Sequence, residues 1–217
     1  MDIAKRELIL EVKDLCMYFP VKGGFFDQAK GVVKAVDGVS FDLYKGSTFG
    51  LVGESGCGKT TTGRLIMKVM KPTSGKIIFH DNDSGPIEIN ALANKKMRPF
   101  RKKIQMVFQD PYSSLDPRMT IQQIVGEPLR AGGREKLQEY RNKIADMLQK
   151  SGLSSDFMDR YPHAFSGGQR QRIGIARALV TKPQLVVADE PVSALDVSVQ
   201  AQILNLLKEL QKTLGLT

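Results

Sequence analysis

Within the eight residues Gly53, Glu54, Ser55, Gly56, Cys57, Gly58, Lys59 and Thr60 the chain sets three glycines ahead of a lysine and a hydroxyl. Glycines let the backbone turn its N–H groups inward around anionic oxygens, and a helix beginning at the lysine adds the positive end of its dipole. This is the spacing of a phosphate loop, or P-loop. In it Lys59 reaches the β- and γ-phosphates of a nucleotide and the Thr60 hydroxyl ligates Mg²⁺. Thr61 follows directly and is placed toward the α-phosphate, through its amide or hydroxyl. The bland alternative is a glycine turn beside a surface lysine. At average residue usage the four fixed positions match by accident on the order of one per cent of the time, and here the match also falls between strand and helix signals. Cys57 reads as a small loop residue, because a redox role needs a partner thiol and Cys16 is far away in sequence.

A second constellation lies at Asp189 and Glu190, behind the apolar run Leu185–Ala188. Two carboxylates delivered at the carboxyl end of a buried strand stand where open α/β sheets bind ligands. Asp189 suits Mg²⁺, directly or through water, and Glu190 suits polarisation of an attacking water as general base. An isolated Asp-Glu is more simply a helix cap or a solvated pair. A buried strand in front of it and a phosphate loop in the same chain favour the chemical reading.

The elements that must position these residues show in the hydrophobic pattern. Runs of strand length occur at Leu8–Leu15, Val39–Leu43, Thr48–Val52, Lys76–Phe79, Ile104–Phe108 and Leu185–Ala188. The order strand Thr48–Val52, glycine turn, helix Lys59–Val69 is that of a mononucleotide-binding α/β unit. From about Ile121 to Tyr161 the pattern turns helical, with Leu137, Tyr140, Ile144, Met147 and Leu148 on one face. Gly132-Gly133 and Ser151-Gly152 interrupt it on either side, which predicts an inserted helical subdomain. A last helix carries Val199, Ile203, Leu206, Leu207, Leu210 and Leu214 on one stripe.

Composition narrows the class. The chain has 217 residues, 41% hydrophobic and 25% charged, enough for a real core. No stretch approaches a membrane span, and the beginning lacks a signal peptide's apolar core, so a cytoplasmic location is expected. Two cysteines are too few for a disulfide framework or a four-ligand metal site. A net charge of +9 fits nucleic acid, an anionic membrane or a phosphate ligand alike. The densest basic run, Lys95, Lys96, Arg98, Arg101, Lys102 and Lys103, has no base-reading motif around it and reads as a solvated helix face.

The segment Phe165-Ser166-Gly167-Gly168-Gln169-Arg170-Gln171-Arg172, just ahead of the acidic strand, resembles the signature of ABC transporter ATP-binding domains. That resemblance covers nearly the whole chain and implies an α/β P-loop NTPase fold: an ABC nucleotide-binding domain with a RecA-like core, an antiparallel β-subdomain and an inserted α-helical subdomain. The expected boundaries are 1–110 and 164–217 for the core with its β-subdomain, and 111–163 for the helical subdomain. It implies ATP and Mg²⁺ as cofactors and a head-to-tail dimer, in which Ser166, Gly167, Gly168 and Gln169 close on a γ-phosphate held by the other subunit. A serine and two glycines at a helix N-terminus make a fitting anion site, and in the single chain they serve equally as a cap. By the same resemblance Gln109 is the glutamine that touches Mg²⁺ and water and connects to the membrane subunits. Ser193–Asp196 resembles the family's D-loop. Phe19 matches the aromatic that stacks on adenine, with Tyr18 the alternative and an ordinary core phenylalanine the plainer reading.

Wording beyond the shared motifs resembles the oligopeptide and dipeptide importers: Tyr18-Phe-Pro, the run Val107–Pro117, Tyr161-Pro-His, and Ala194–Gln202. Nickel importers share much of it. The implied setting is the cytoplasmic face of the membrane, with a second ATPase subunit, identical or different, transmembrane permease subunits and an extracellular or periplasmic solute-binding protein. No nucleic acid is expected. A soluble ABC-type ATPase of repair or translation is the alternative from another class, but its usual duplicated cassettes, coiled-coil insertions or zinc ligands are missing from this sequence. Two departures stand out. Phe165 replaces the commoner leucine and Ala164 a frequent glutamate, neither of which should abolish nucleotide binding. The chain also stops at Thr217, before the strand that carries the family's switch histidine. A truncated domain with weak hydrolysis is therefore expected. Neither His80 nor His163 occupies that histidine's place, so capping or surface roles are expected for both.

Overall fold

The computed structural model describes residues 7–21, 31–130 and 136–217. The start of the chain and the expected break at Gly132-Gly133 lie outside the described residues. Contacts divide the chain into two compact units, Met1–Ala93 with Thr217, and Asn94–Leu216.

The first unit is built on an antiparallel sheet. β1 (Leu8–Val21) pairs with β2 (Gly31–Tyr44) on one edge and β3 (Ser74–Asp81) on the other, and β4 (Gly85–Glu88) pairs with β3. The order is β2-β1-β3-β4. Leu10 stands opposite Phe79 and Val12 opposite Ile77, and all four are buried, so these cross-strand pairs pin the register. Asp14, at φ 45, falls where the β1–β2 register shifts, and the irregularity lets β1 run on to Val21. β4 is short and carries Pro86, which lacks a ladder donor and suits an edge strand. Helix α1 (Lys59–Ile66) follows Gly58 and buries Thr62, Gly63, Leu65 and Ile66.

The expected strand Thr48–Val52 forms no ladder. Residues 47–54 are irregular, and Phe49, Leu51 and Val52 are exposed, Val52 to 92%. An apolar run specifies a strand only together with a neighbour that accepts its edge, and no described strand does so here. Phe49 instead stacks on Phe41 of β2, with ring centroids 5.0 Å apart.

The second unit joins a parallel strand pair to helices. After two short helices, α2 (Asn94–Met97) and α3 (Phe100–Lys103), β5 (Ile104–Val107) pairs in parallel with β6 (Leu185–Ala188), Ile104 opposite Leu185 and Val107 opposite Ala188. Such a pair needs a long crossover. It is supplied by α4 (Ile121–Arg130), α5 (Leu137–Lys150) and α6 (Gly167–Leu179), and α7 (Val197–Leu214) follows β6. Their apolar faces meet in one core containing Val107, Ile121, Ile124, Val125, Ile144, Met147, Leu148, Ile173, Ile175 and Ile203. On α5 the predicted face is buried at Tyr140, Ile144, Met147 and Leu148, but Leu137 is 71% exposed. A first-turn side chain leans over the turn before its own Cα, where the helix has not yet reached the core. On α2 and α3, Met97 and Phe100 are buried while Lys95, Lys96 and Arg101, with Arg98 between the helices, are exposed; Lys102 and Lys103 are half-buried, so the expected solvated face holds only for the first four of the run.

Candidate nucleotide site

Gly53 to Gly58 form an exposed loop that ends where α1 begins. Gly58, at φ 95, is the turning point. A Cβ there would stand 2.0 Å from the Ala35 carbonyl oxygen of β2, so no other residue fits. Lys59 folds back over the loop and its Nζ donates to the carbonyls of Gly53 at 2.8 Å and Glu54 at 2.9 Å. The first turn of α1 carries no acidic residue, so no side-chain charge there complements the positive end of its dipole. Among the threonines, Thr62 is buried and its hydroxyl donates to the Gly58 carbonyl at 3.0 Å, whereas Thr60 and Thr61 are half-buried at the helix start. Cys57 is exposed and Cys16 buried, both as free thiols, consistent with a loop role for Cys57.

On β1 the two aromatic candidates differ. Tyr18 donates its hydroxyl to Asp37 at 2.5 Å, and Lys34 lies 5.4 Å from the ring centroid. That hydrogen bond, then contact with Cys16, raises the Tyr18 phenol above its ordinary range, and the same hydroxyl followed by Lys34 holds Asp37 low. Phe19 is 37% exposed and carries no polar tether.

In the second unit the parallel register brings the ends of β5 and β6 together. The Asp189 amide donates to the Val107 carbonyl at 3.0 Å, continuing the pairing by one step. Beyond it the Gln109 Nε2 donates to the Glu190 Oε2 at 3.0 Å. Glu190 has φ 43, a left-handed conformation that turns its side chain off the strand line. The Ser193 hydroxyl donates to its carbonyl at 3.1 Å and closes the following turn. Asp110 accepts from the amides of Tyr112 and Ser113, which hold its carboxyl below the usual range and brace the turn after Gln109.

Ser166 is the N-cap of α6. Its hydroxyl accepts from the Gln169 amide at 3.3 Å, and the Gln169 Oε1 accepts from the Ser166 amide at 3.0 Å, a reciprocal capping box. Gly168 is required by packing, since a Cβ would meet Val199 of α7 at 2.7 Å. Gly167 faces Tyr112 and Leu195, and the Arg170 guanidinium lies 4.3 Å from the Tyr112 ring centroid. Asp196 precedes α7 with its carboxylate exposed and not engaged in a cap. His80 contacts Glu11 at 2.5 Å, and His163 stacks on Tyr161 in a short 3₁₀ turn.

The phosphate loop and Phe19 thus belong to the first unit, and Gln109, Asp189, Glu190, the Ser166 turn and Asp196 to the second. Sequence reasoning gave no role to two residues of α6. Gln171 is 2% exposed and donates to the carbonyls of Pro191 at 2.7 Å and Phe108 at 3.4 Å. Arg177 donates to the Ser114 carbonyl at 2.6 Å, and burial pulls its guanidinium pKa down. A polar residue in register with the apolar stripe of a helix, as Gln171 is with Ile175 and Ala178, was the available signal.

A glycine-rich loop at a helix start in the first unit and, separately, carboxylates at parallel strand ends in the second are each features of nucleotide-binding α/β proteins. Residues 36–193 match the family model described as ABC transporter, and the chain belongs to that family. It is 53% identical over 218 residues to the oligopeptide transport ATP-binding protein AppF of Bacillus subtilis, covering 100% of this chain and 65% of the relative. The dipeptide transport ATP-binding protein DppF of Haemophilus influenzae is 50% identical, with 100% of this chain and 64% of the relative covered. The chain therefore spans less than two thirds of the length of these relatives. Among solved structures it resembles the ATP-binding cassette MJ0796 in a dimeric state bound to ADP and Pi, with a TM-score of 0.79 and 29% identity over 95% of this chain and 84% of that one. It also resembles cbiO1 of Clostridium perfringens, described as part of the ABC transporter complex cbiONQ, with a TM-score of 0.76 and 29% identity over 97% and 76% of the two chains. The expected ABC fold class is thereby established.

Proposed function

We propose that this chain binds and hydrolyses ATP as the energising subunit of an importer for oligopeptides or dipeptides. The observation that carries hydrolysis is the hydrogen bond between Gln109 and Glu190, which aims a carboxylate and a carboxamide together at the ends of adjacent parallel strands. The peptide class is supported by the names of relatives at about half identity, AppF and DppF.

In this reading the amides of Gly53, Glu54, Ser55, Gly56, Cys57 and Gly58 cradle the phosphates. Lys59 exchanges its two loop carbonyls for β- and γ-phosphate oxygens, Thr61 supports the α-phosphate side, and Phe19 stacks on adenine. Glu190 takes a proton from the attacking water while Gln109 orients it. The donors assigned to Mg²⁺, namely Thr60, Gln109 and Asp189, are hard oxygens with one carboxylate among them, which suits an ion that completes its shell with water and substrate phosphates. Bound there, Mg²⁺ would neutralise phosphate charge. The anion-ready turn Ser166–Gln169, together with Asp196, serves the nucleotide of a second ATPase subunit in a head-to-tail dimer. Permease subunits and a solute-binding protein complete the assembly at the cytoplasmic face of the membrane.

The test is ATP turnover by the protein with its membrane partners, with and without Glu190→Gln. Loss of turnover by about 10²-fold or more, with ATP binding retained, is the expected outcome. Unchanged turnover would remove Glu190 as the base.

A further inference from the structure

Helix α6 carries a buried carboxamide whose two N–H donors are both spent on the backbone that frames the Gln109–Glu190 pair. Gln171 donates to the carbonyl of Phe108, the residue before Gln109, and to the carbonyl of Pro191, the residue after Glu190. Neither carbonyl lies within the β5–β6 ladder, which ends at Val107 and Ala188. Pro191 has no N–H, so the chain cannot extend β6 through it, and its carbonyl needs a donor from elsewhere. Glu190, one residue earlier, sits at φ 43, a conformation that a non-glycine residue holds only when its surroundings determine it. The strongest of these ties, at 2.7 Å, is placed on the very next peptide.

We infer that Gln171 is a positioning residue for hydrolysis, setting the separation and aim of Gln109 and Glu190 by tying the Phe108 and Pro191 carbonyls to α6. A side chain 2% exposed cannot leave these bonds for water, so the clamp is permanent rather than opportunistic. Arg177, nearly two turns further along α6, adds a second tie to the same loop through the Ser114 carbonyl and lies 5.4 Å from the Phe108 ring centroid. Both strand ends are thereby referred to one rigid helix. Without Gln171 the ladder still brings Gln109 and Glu190 into the same neighbourhood, but α6 then holds only the Phe108 side, through Arg177, and no longer fixes their spacing. Catalysis is steep in such displacements, whereas gripping a nucleotide with the loop of the other unit is not.

The inference rests on the hydrolytic reading above, and the experiment separates the two. Gln171→Met keeps the volume and the unbranched stem but removes both donors. ATP affinity, turnover per bound nucleotide and single-turnover cleavage of γ-labelled ATP are measured for the wild type, Gln171→Met, Glu190→Gln and the double variant. The expected result is a tenfold or greater fall in turnover for Gln171→Met, with KM and Kd for ATP within twofold of the wild type. The double variant should lie within twofold of Glu190→Gln, because Gln171 acts through that pair. Wild-type turnover per bound nucleotide in Gln171→Met, or losses that multiply in the double variant, would overturn the inference. Should Gln171→Met not fold, Gln171→Asn keeps the carboxamide and shortens its reach by one methylene. It should give the same split between turnover and binding, and its absence would count the same way. If Glu190→Gln itself turns over normally, the hydrolytic assignment fails first.

Discussion

Gly58 and Phe19 are single residues on which the proposed nucleotide capture turns, and each allows a sharp test. Gly58→Ala puts a Cβ 2.0 Å from the Ala35 carbonyl at a φ of 95, so either the loop or β2 must shift. A stability loss of about 2 kcal/mol or more in urea unfolding is expected, together with loss of fluorescent ATP-analogue binding. Phe19→Ala should weaken ATP by about 1 to 3 kcal/mol, the worth of one aromatic–base stack. Tyr18→Ala, which removes the neighbouring ring and its bond to Asp37, should leave ATP affinity unchanged in the same titration. The reverse pattern would reassign the aromatic. At this scale much of the site was legible, because the phosphate loop is a local code of glycines, lysine and threonine. Gln171 was not, since its partners at Phe108 and Pro191 lie 63 and 20 residues away and no local spacing announces them.

Elements are legible where one face is apolar and illegible where a partner decides. The stripes of α5 and α7 stand in the sequence, and the structure buries Ile144, Met147, Ile203 and Leu210 as the period requires. β4 went unread because four residues with a proline have no pattern of their own and form a strand only by pairing with β3. The run Thr48–Val52 failed in the opposite sense, with the pattern present and the ladder missing. On helix α6 the capping box can be separated from any phosphate role. Ser166→Ala loses the cap and should cost about 1 kcal/mol, whereas Ser166→Asp restores a cap acceptor and should unfold close to the wild type. The sheet offers a pH test. Lys13, then His80, hold the Glu11 carboxyl below its ordinary value. A depressed folded pKa contributes stability that is present above the unfolded value and is lost as pH falls through the folded one. Glu11→Gln should therefore flatten the decline of the melting midpoint below about pH 4.3, with little change near neutrality.

At the scale of the molecule the signature turn, packed against Tyr112, Leu195 and Val199, meets no acidic side chain in the first turn of its own helix. The Ser166 hydroxyl is committed to the Gln169 amide, yet the helix N-terminus behind it carries no acidic residue to complement the dipole. An anion brought by a second subunit would supply that charge. This is why the sequence could name the segment by resemblance while composition and periodicity could not assign its ligand: in the proposed dimer the ligand would belong to another chain. Ser166→Asp turns the point into a measurement, because it keeps the cap and places a negative charge where a γ-phosphate would approach. In a Glu190→Gln background, which should hold ATP without consuming it, light scattering at increasing ATP is expected to show association. Adding Ser166→Asp should abolish that association while ATP still binds each subunit at its own phosphate loop. Association that survives the aspartate would mean that the turn does not meet the partner's nucleotide, and α6 would then keep only its structural role.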